Sequence, residues 1–169
     1  MINIVAMILN KEEMNKRVLQ HCRTICTKVK NGTLGKNNPD ASRVAVACAV
    51  EGEEHCKMGY SGDPRFVHYL PIMTNALRVL GDEIGKRSKL PNTENCTIGS
   101  CAEPHAANQV FMNHRHSTVT IKDLMFSNAY RPRTKSIKNH IIKFRDKKGN
   151  ITKVEHVPYC PNCQKVFNI

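Results

Sequence analysis

Within Lys11–Lys30, apolar residues fall at Met14, Val18, Leu19, Cys22, Ile25, Cys26 and Val29. That is the 3.6-residue stripe of an amphipathic helix, and Asn31-Gly32 ends it. The period then changes. Residues 44–50 form a continuous apolar run, as expected of a central strand covered on both faces. After a turn at 51–53, Cys56, Met58 and Tyr60 alternate with polar positions, so the two runs predict a hairpin. Residues 61–64 break the pattern, and Pro71 opens a second helix with a stripe through Met73, Ala76, Leu77, Leu80 and Ile84. Gly99-Ser100 supplies a turn and an N-cap for a third helix over 101–113. Residues 118–126 predict a third strand, 141–145 and 151–157 a second hairpin, and 160–169 a short helix at most.

These elements suit one α/β domain spanning 1–169, with no repeat, low-complexity tract or linker. Charge adds a partner to the picture. Lys and Arg number 26 against 14 Asp and Glu, a net charge of +12, which favours a polyanion. A basic but merely solvated surface is the bland alternative. Residues 1–9 are apolar but lack a basic leading segment and run into Lys11-Glu12-Glu13, so they resemble neither a signal peptide nor a membrane span. The expectation is a soluble chain without membrane contact, cytoplasmic unless delivered into a target cell as part of a toxin. Eight cysteines in that setting are core residues or metal ligands rather than disulfides.

Zinc takes soft or borderline donors, and a catalytic zinc keeps three protein ligands and one open position. Cys101 and the pair Cys160-x-x-Cys163 can supply three thiolates. Glu103, two residues past Cys101, would then stand beside the metal and shuttle protons. Other readings stay open at this point. Cys96 could complete a closed structural site of four cysteines; His105, one turn from Cys101, reads as an exposed or hydrogen-bonded histidine before a ligand; and Cys22 and Cys26 read as core residues before a metal pair.

Cys101-Ala102-Glu103-Pro104-His105 followed by Cys160-Pro161-Asn162-Cys163, with a hairpin ahead of them, resembles the cytidine deaminase-like superfamily. The likeness is strongest to nucleic-acid deaminase domains of bacterial polymorphic toxins. It departs at Tyr159, where the family has proline directly before the first Cys of the pair, and prolines stand instead at Pro158 and Pro161. The resemblance implies a three-layer fold with a central mixed β-sheet flanked by helices, a bound zinc, and Glu103 as proton shuttle. It also implies hydrolytic conversion of cytosine to uracil, in a toxin or defence effector for which an immunity protein is a possible partner. Asn37 or Asn38 and Ala102 are expected at the sugar and base from superfamily position alone.

Residues 131–157 then read as a basic hairpin insertion. Arg131, Arg133, Lys143, Arg145, Lys147 and Lys148 interleave with Tyr130 and Phe144, a mixture suited to single-stranded nucleic acid, DNA before RNA. A solvated hairpin whose lysines protect a sheet edge is the competing reading. Two other functions compete with the polynucleotide deaminase: an enzyme of free cytidine or deoxycytidine, and a noncatalytic zinc-stabilised nucleic-acid-binding module.

Overall fold

A computed structural model describes residues 8–93, 96–132 and 139–169 of the chain. Helix α1 (Lys11–Lys30) follows the apolar stripe and is closed by its charges. The Asn10 side chain accepts from the Glu13 N–H at 2.8 Å, with Glu12 and Glu13 in the first turn and Lys28 and Lys30 in the last. Each sign suits its end of the helix dipole. Met14, Val18, Cys22 and Ile25 form the buried side.

Strand β1 (Ala45–Val50) is buried along its whole length because it has a strand on each side and a helical layer on each face. It pairs antiparallel with β2 (Lys57–Tyr60) on one side and with β3 (Leu124–Phe126) and β4 (Ala129–Arg131) on the other. β3 and β4 form one line interrupted at Ser127. There the Ser127 N–H donates to the Ala47 carbonyl at 2.9 Å and its hydroxyl accepts from the Ala47 N–H at 2.9 Å, so no ladder group of Ala47 is lost. β6 (Ile151–Val157) pairs with β4, and β5 (His140–Arg145) pairs with β6 at the edge. The order is β2-β1-β4-β6-β5, with β3 beside β1.

Every one of these pairings is antiparallel, which corrects the expectation of a mixed sheet. The reason lies in β1. Strands β2 and β3 run the same way, but they flank β1 instead of pairing, so the helical crossover between them creates no parallel ladder. The segment read as an insertion supplies two strands of the sheet, and β6 lies between β4 and β5.

Three layers result. α1 covers Ala45, Ala47, Ala49, Tyr130 and Val154. On the opposite face α2 (Pro71–Leu77), α3 (Ala102–Asn113) and α4 (Pro161–Phe167) cover Val46, Cys48, Val50, Phe126 and Ala129. α3 lies against β2 so closely that a Cβ on Gly59 would overlap the backbone of Ala102 and Ala106, ending 2.7 Å from the Ala106 Cα. Small residues on both partners make this approach possible.

Smaller differences have local causes. The second helix stops at Leu77 and tightens into a 3₁₀ turn through Leu80, because Gly81 departs at φ 157° and leaves Ile84 outside. The third strand shortens to β3, since Thr120 and Asp123 close a capping box around a 3₁₀ turn ahead of it. Among the described residues no helix is long and apolar enough to cross a membrane.

Candidate metal centre

Two helix N-termini meet on the α3 side of the sheet. Gly99 takes φ 84°, and the Ser100 carbonyl accepts from the Gly62 N–H at 3.0 Å, which anchors the chain entering α3. The cap of α3 is Cys101 rather than the expected Ser100, whose hydroxyl instead donates to the Thr97 carbonyl at 2.8 Å. Cys160 caps α4 with nearly the same backbone, φ −72° and ψ 157° against −75° and 158° at Cys101. The Cys101 sulfur makes no cap bond to its own helix. It is free to project forward.

The two sulfurs stand 3.2 Å apart, and Cys163, in the first turn of α4, brings a third; all three lie within 4.8 Å of one another. Tetrahedral ligation at the usual zinc–sulfur length separates sulfurs by about 3.8 Å, inside that range. Cys101, Cys160 and Cys163 therefore form a group that could hold a metal ion. The Cys163 thiol also donates to Glu103 Oε2 at 3.2 Å, placing a carboxyl only 4% exposed against the cluster.

The three thiols titrate as one set. Cys160, accepting from Cys101 and Cys163 and then from the Cys163 and Asn162 N–H groups, is held down to about 3. Cys101 and Cys163, which give their protons to it, are pushed up. Burial raises the Glu103 carboxyl above its ordinary range. The positive ends of α3 and α4 favour the thiolate form a metal requires.

Tyr159, the residue that departs from the family pattern, holds the approach to Cys160. Its hydroxyl donates to the Ser127 carbonyl at 2.5 Å, and its carbonyl accepts from Gln164 Nε2 at 2.8 Å. Sequence reasoning missed this residue's role, and it missed Asn162 as well. Asn162 is 2% exposed, and neither amide atom has a hydrogen-bond partner among the described residues. Unmet groups of this kind mark a position built for a polar partner.

The remaining candidates fall elsewhere. His105 Nε2 meets the Gly99 carbonyl at 2.8 Å beside the Tyr69 ring, so His105 supports the turn before Cys101 and is no ligand. Cys96 lies outside the group of three, and Cys22 is sealed under α1. Ala102 is buried in the contact with Gly59. Asn37 and Asn38 are exposed before β1, where Asn38 Oδ1 accepts from the Asp40 N–H at 3.0 Å.

Tyr130 and Phe144, expected to contact substrate, do not stand beside the cysteines. Side chains alternate along a strand, and both rings fall on the α1 face, across the sheet from the cysteines. Tyr130 is 4% exposed and Phe144 is covered by the Arg23 guanidinium at 4.6 Å. Arg131, partly exposed, forms an ion pair with the buried Glu155 at 3.7 Å. Arg133 lies outside the described residues.

No protein-family model matches this chain, and neither a curated protein nor a solved structure matches it. Fold and site define it by themselves: a three-layer α/β protein with an antiparallel sheet, whose α3 and α4 N-termini gather three cysteines and a buried glutamate.

Proposed function

We propose that the protein is a zinc-dependent hydrolase that converts cytosine to uracil in single-stranded nucleic acid, with DNA the first candidate, acting as a toxin or defence effector. The observation that carries this reading is the buried Glu103 carboxyl 3.2 Å from Cys163, one of three converging sulfurs. A structural zinc site needs no carboxyl, and burying one without a charge-bearing task is costly.

Cys101, Cys160 and Cys163 would hold the metal. A zinc bound there would supply Lewis acidity to activate water for attack on C4 of the base. Three thiolates weaken that acidity, and the two helix N-termini offset part of the loss. Glu103 moves the protons. Its carboxylate would take one from the attacking water, hold it readily because burial raises its affinity, and deliver it to N3 of the ring. A second proton passes by the same carboxyl to the departing amine, so water and cytosine leave as uracil and ammonia. Cys96 stands outside the cluster, which argues against a closed four-cysteine site.

The test is zinc-loaded protein incubated with single-stranded DNA, RNA and free cytidine or deoxycytidine, with uracil or uridine quantified. Uracil in a polynucleotide is the expected result. Product from nucleosides alone overturns the polynucleotide reading, and no product from any substrate with zinc bound overturns the enzyme in favour of a binding module.

A further inference from the structure

Beside α3, on the side away from α4, lies a cleft of about 460 Å³ bounded by the β2 edge and the loop that follows it. Its walls include Arg43, Tyr60, Phe66, His68, His105 and Gln109. Phe66 is 88% exposed, the most open large apolar side chain among the described residues. The turn beneath it is well held. Pro64–Phe66 is a 3₁₀ turn, with Asp63 Oδ1 accepting from the Arg65 N–H at 2.9 Å and the Asp63 carboxylate paired to the Arg65 guanidinium. An exposed aromatic ring on a fixed turn is a ready stacking platform.

The other walls suit the rest of a nucleotide. The Arg43 guanidinium lies over Gly62, 3.7 Å from where a Cβ would stand, and its Nε meets Asp40 at 3.4 Å, so a cation is held at the cleft. The exposed Gln109 carries an amide that can read a base edge. Asn108 fixes the far wall, its Oδ1 accepting from the Leu70 N–H and its Nδ2 donating to the His68 carbonyl, both at 2.9 Å. The cleft begins one turn along α3 from the cysteine cluster. Cys101 is the cap of α3, His105 stands one turn on, about 5.4 Å along the axis, and Gly62 hydrogen-bonds Ser100.

We propose that this cleft binds the nucleotide adjacent to the reacting base in a single strand. The neighbouring base stacks on Phe66, its phosphate meets Arg43, and Gln109 reads its edge. The proposal rests on the polynucleotide reading for its partner, but its test does not require turnover. It assigns flanking-base preference to the β2–α2 loop and the outer side of α3, and not to the basic hairpin.

The test uses zinc-loaded full-length protein and a labelled single-stranded DNA oligonucleotide carrying 2-aminopurine beside one cytosine. Fluorescence anisotropy reads affinity, and 2-aminopurine quenching reads stacking. Phe66→Ala is expected to weaken binding about tenfold or more and abolish the quench, whereas Phe66→Tyr keeps both. Gln109→Ala should change the ranking of flanking bases. The exposed ring makes no core contact, so circular dichroism of each variant should match the parent. Wild-type affinity and quench in Phe66→Ala, or no oligonucleotide binding by the parent, overturns the cleft. The two readings fail separately: Phe66-dependent binding without uracil sinks deamination and leaves the cleft, and uracil formed with unchanged Phe66→Ala binding does the reverse.

Discussion

The two faces of the sheet use the same residue types to opposite ends. Under α1, Cys22 sits in mid-helix, fully buried, and burial pushes its thiol up to about 12. Across the sheet, Cys160 carries a thiol held down to about 3. Spacing alone does not separate them, since Cys22-x-x-x-Cys26 is as plausible a pair as Cys160-x-x-Cys163. Backbone position does. A mid-helix cysteine meets N–H groups already bonded within the helix, whereas a cap cysteine faces free ones, and here two caps face each other. The lesson extends to the rings: Tyr130 and Phe144 are packing under α1, while the exposed Phe66 stands beside α3.

Metal content should break this comparison most sharply. Cys163→Ser should take zinc, read by inductively coupled plasma mass spectrometry, from about one per chain to none, and Cys22→Ser should leave it unchanged. Zinc lost equally from both variants would mean that the α1 face matters to the site in a way the geometry does not provide.

A second contrast concerns close packing. Gly59→Ala forces a methyl into the α3 backbone and should cost about 2–3 kcal/mol in urea denaturation. Gly35, with open space around it, should accept alanine with a change of about 0.5 kcal/mol or less. Similar values for the two would show that α3 lies farther from β2 than described.

The smallest effect is at the far end of α3. His114 is raised above its ordinary 6.5 by the Val110 carbonyl and by Glu53. A raised folded-state value means stabilisation that is fully present below the unfolded value and lost as pH rises through the folded one. His114→Gln should therefore be less stable than the parent by about 0.5 kcal/mol near pH 5.5, after allowance for solvent screening, and equal to it near pH 9. A pH-independent difference would assign the effect to packing.

Much of this is legible in the amino-acid sequence alone. The stripe in α1, the apolar run of β1 and the β5–β6 hairpin carry their own periods, and the order of Cys101, Glu103, Cys160 and Cys163 identifies the cluster. Other features are not. β4 is three residues long and depends on Ser127 re-pairing with Ala47, a tertiary event with no local period. Which face Tyr130 takes depends on the register of β4 against β1, which the hairpin's composition does not encode. Phe66 left one usable signal: an aromatic two residues past Pro64, inside the turn that Asp63-Pro64 opens.

The account turns on Glu103. Glu103→Gln keeps the shape and removes the proton carrier, so the decisive measurement is uracil formation in single-stranded DNA by this variant and the parent at equal bound zinc. The account predicts a fall of about a hundredfold to ten-thousandfold with zinc retained. Equal rates at equal zinc would contradict it.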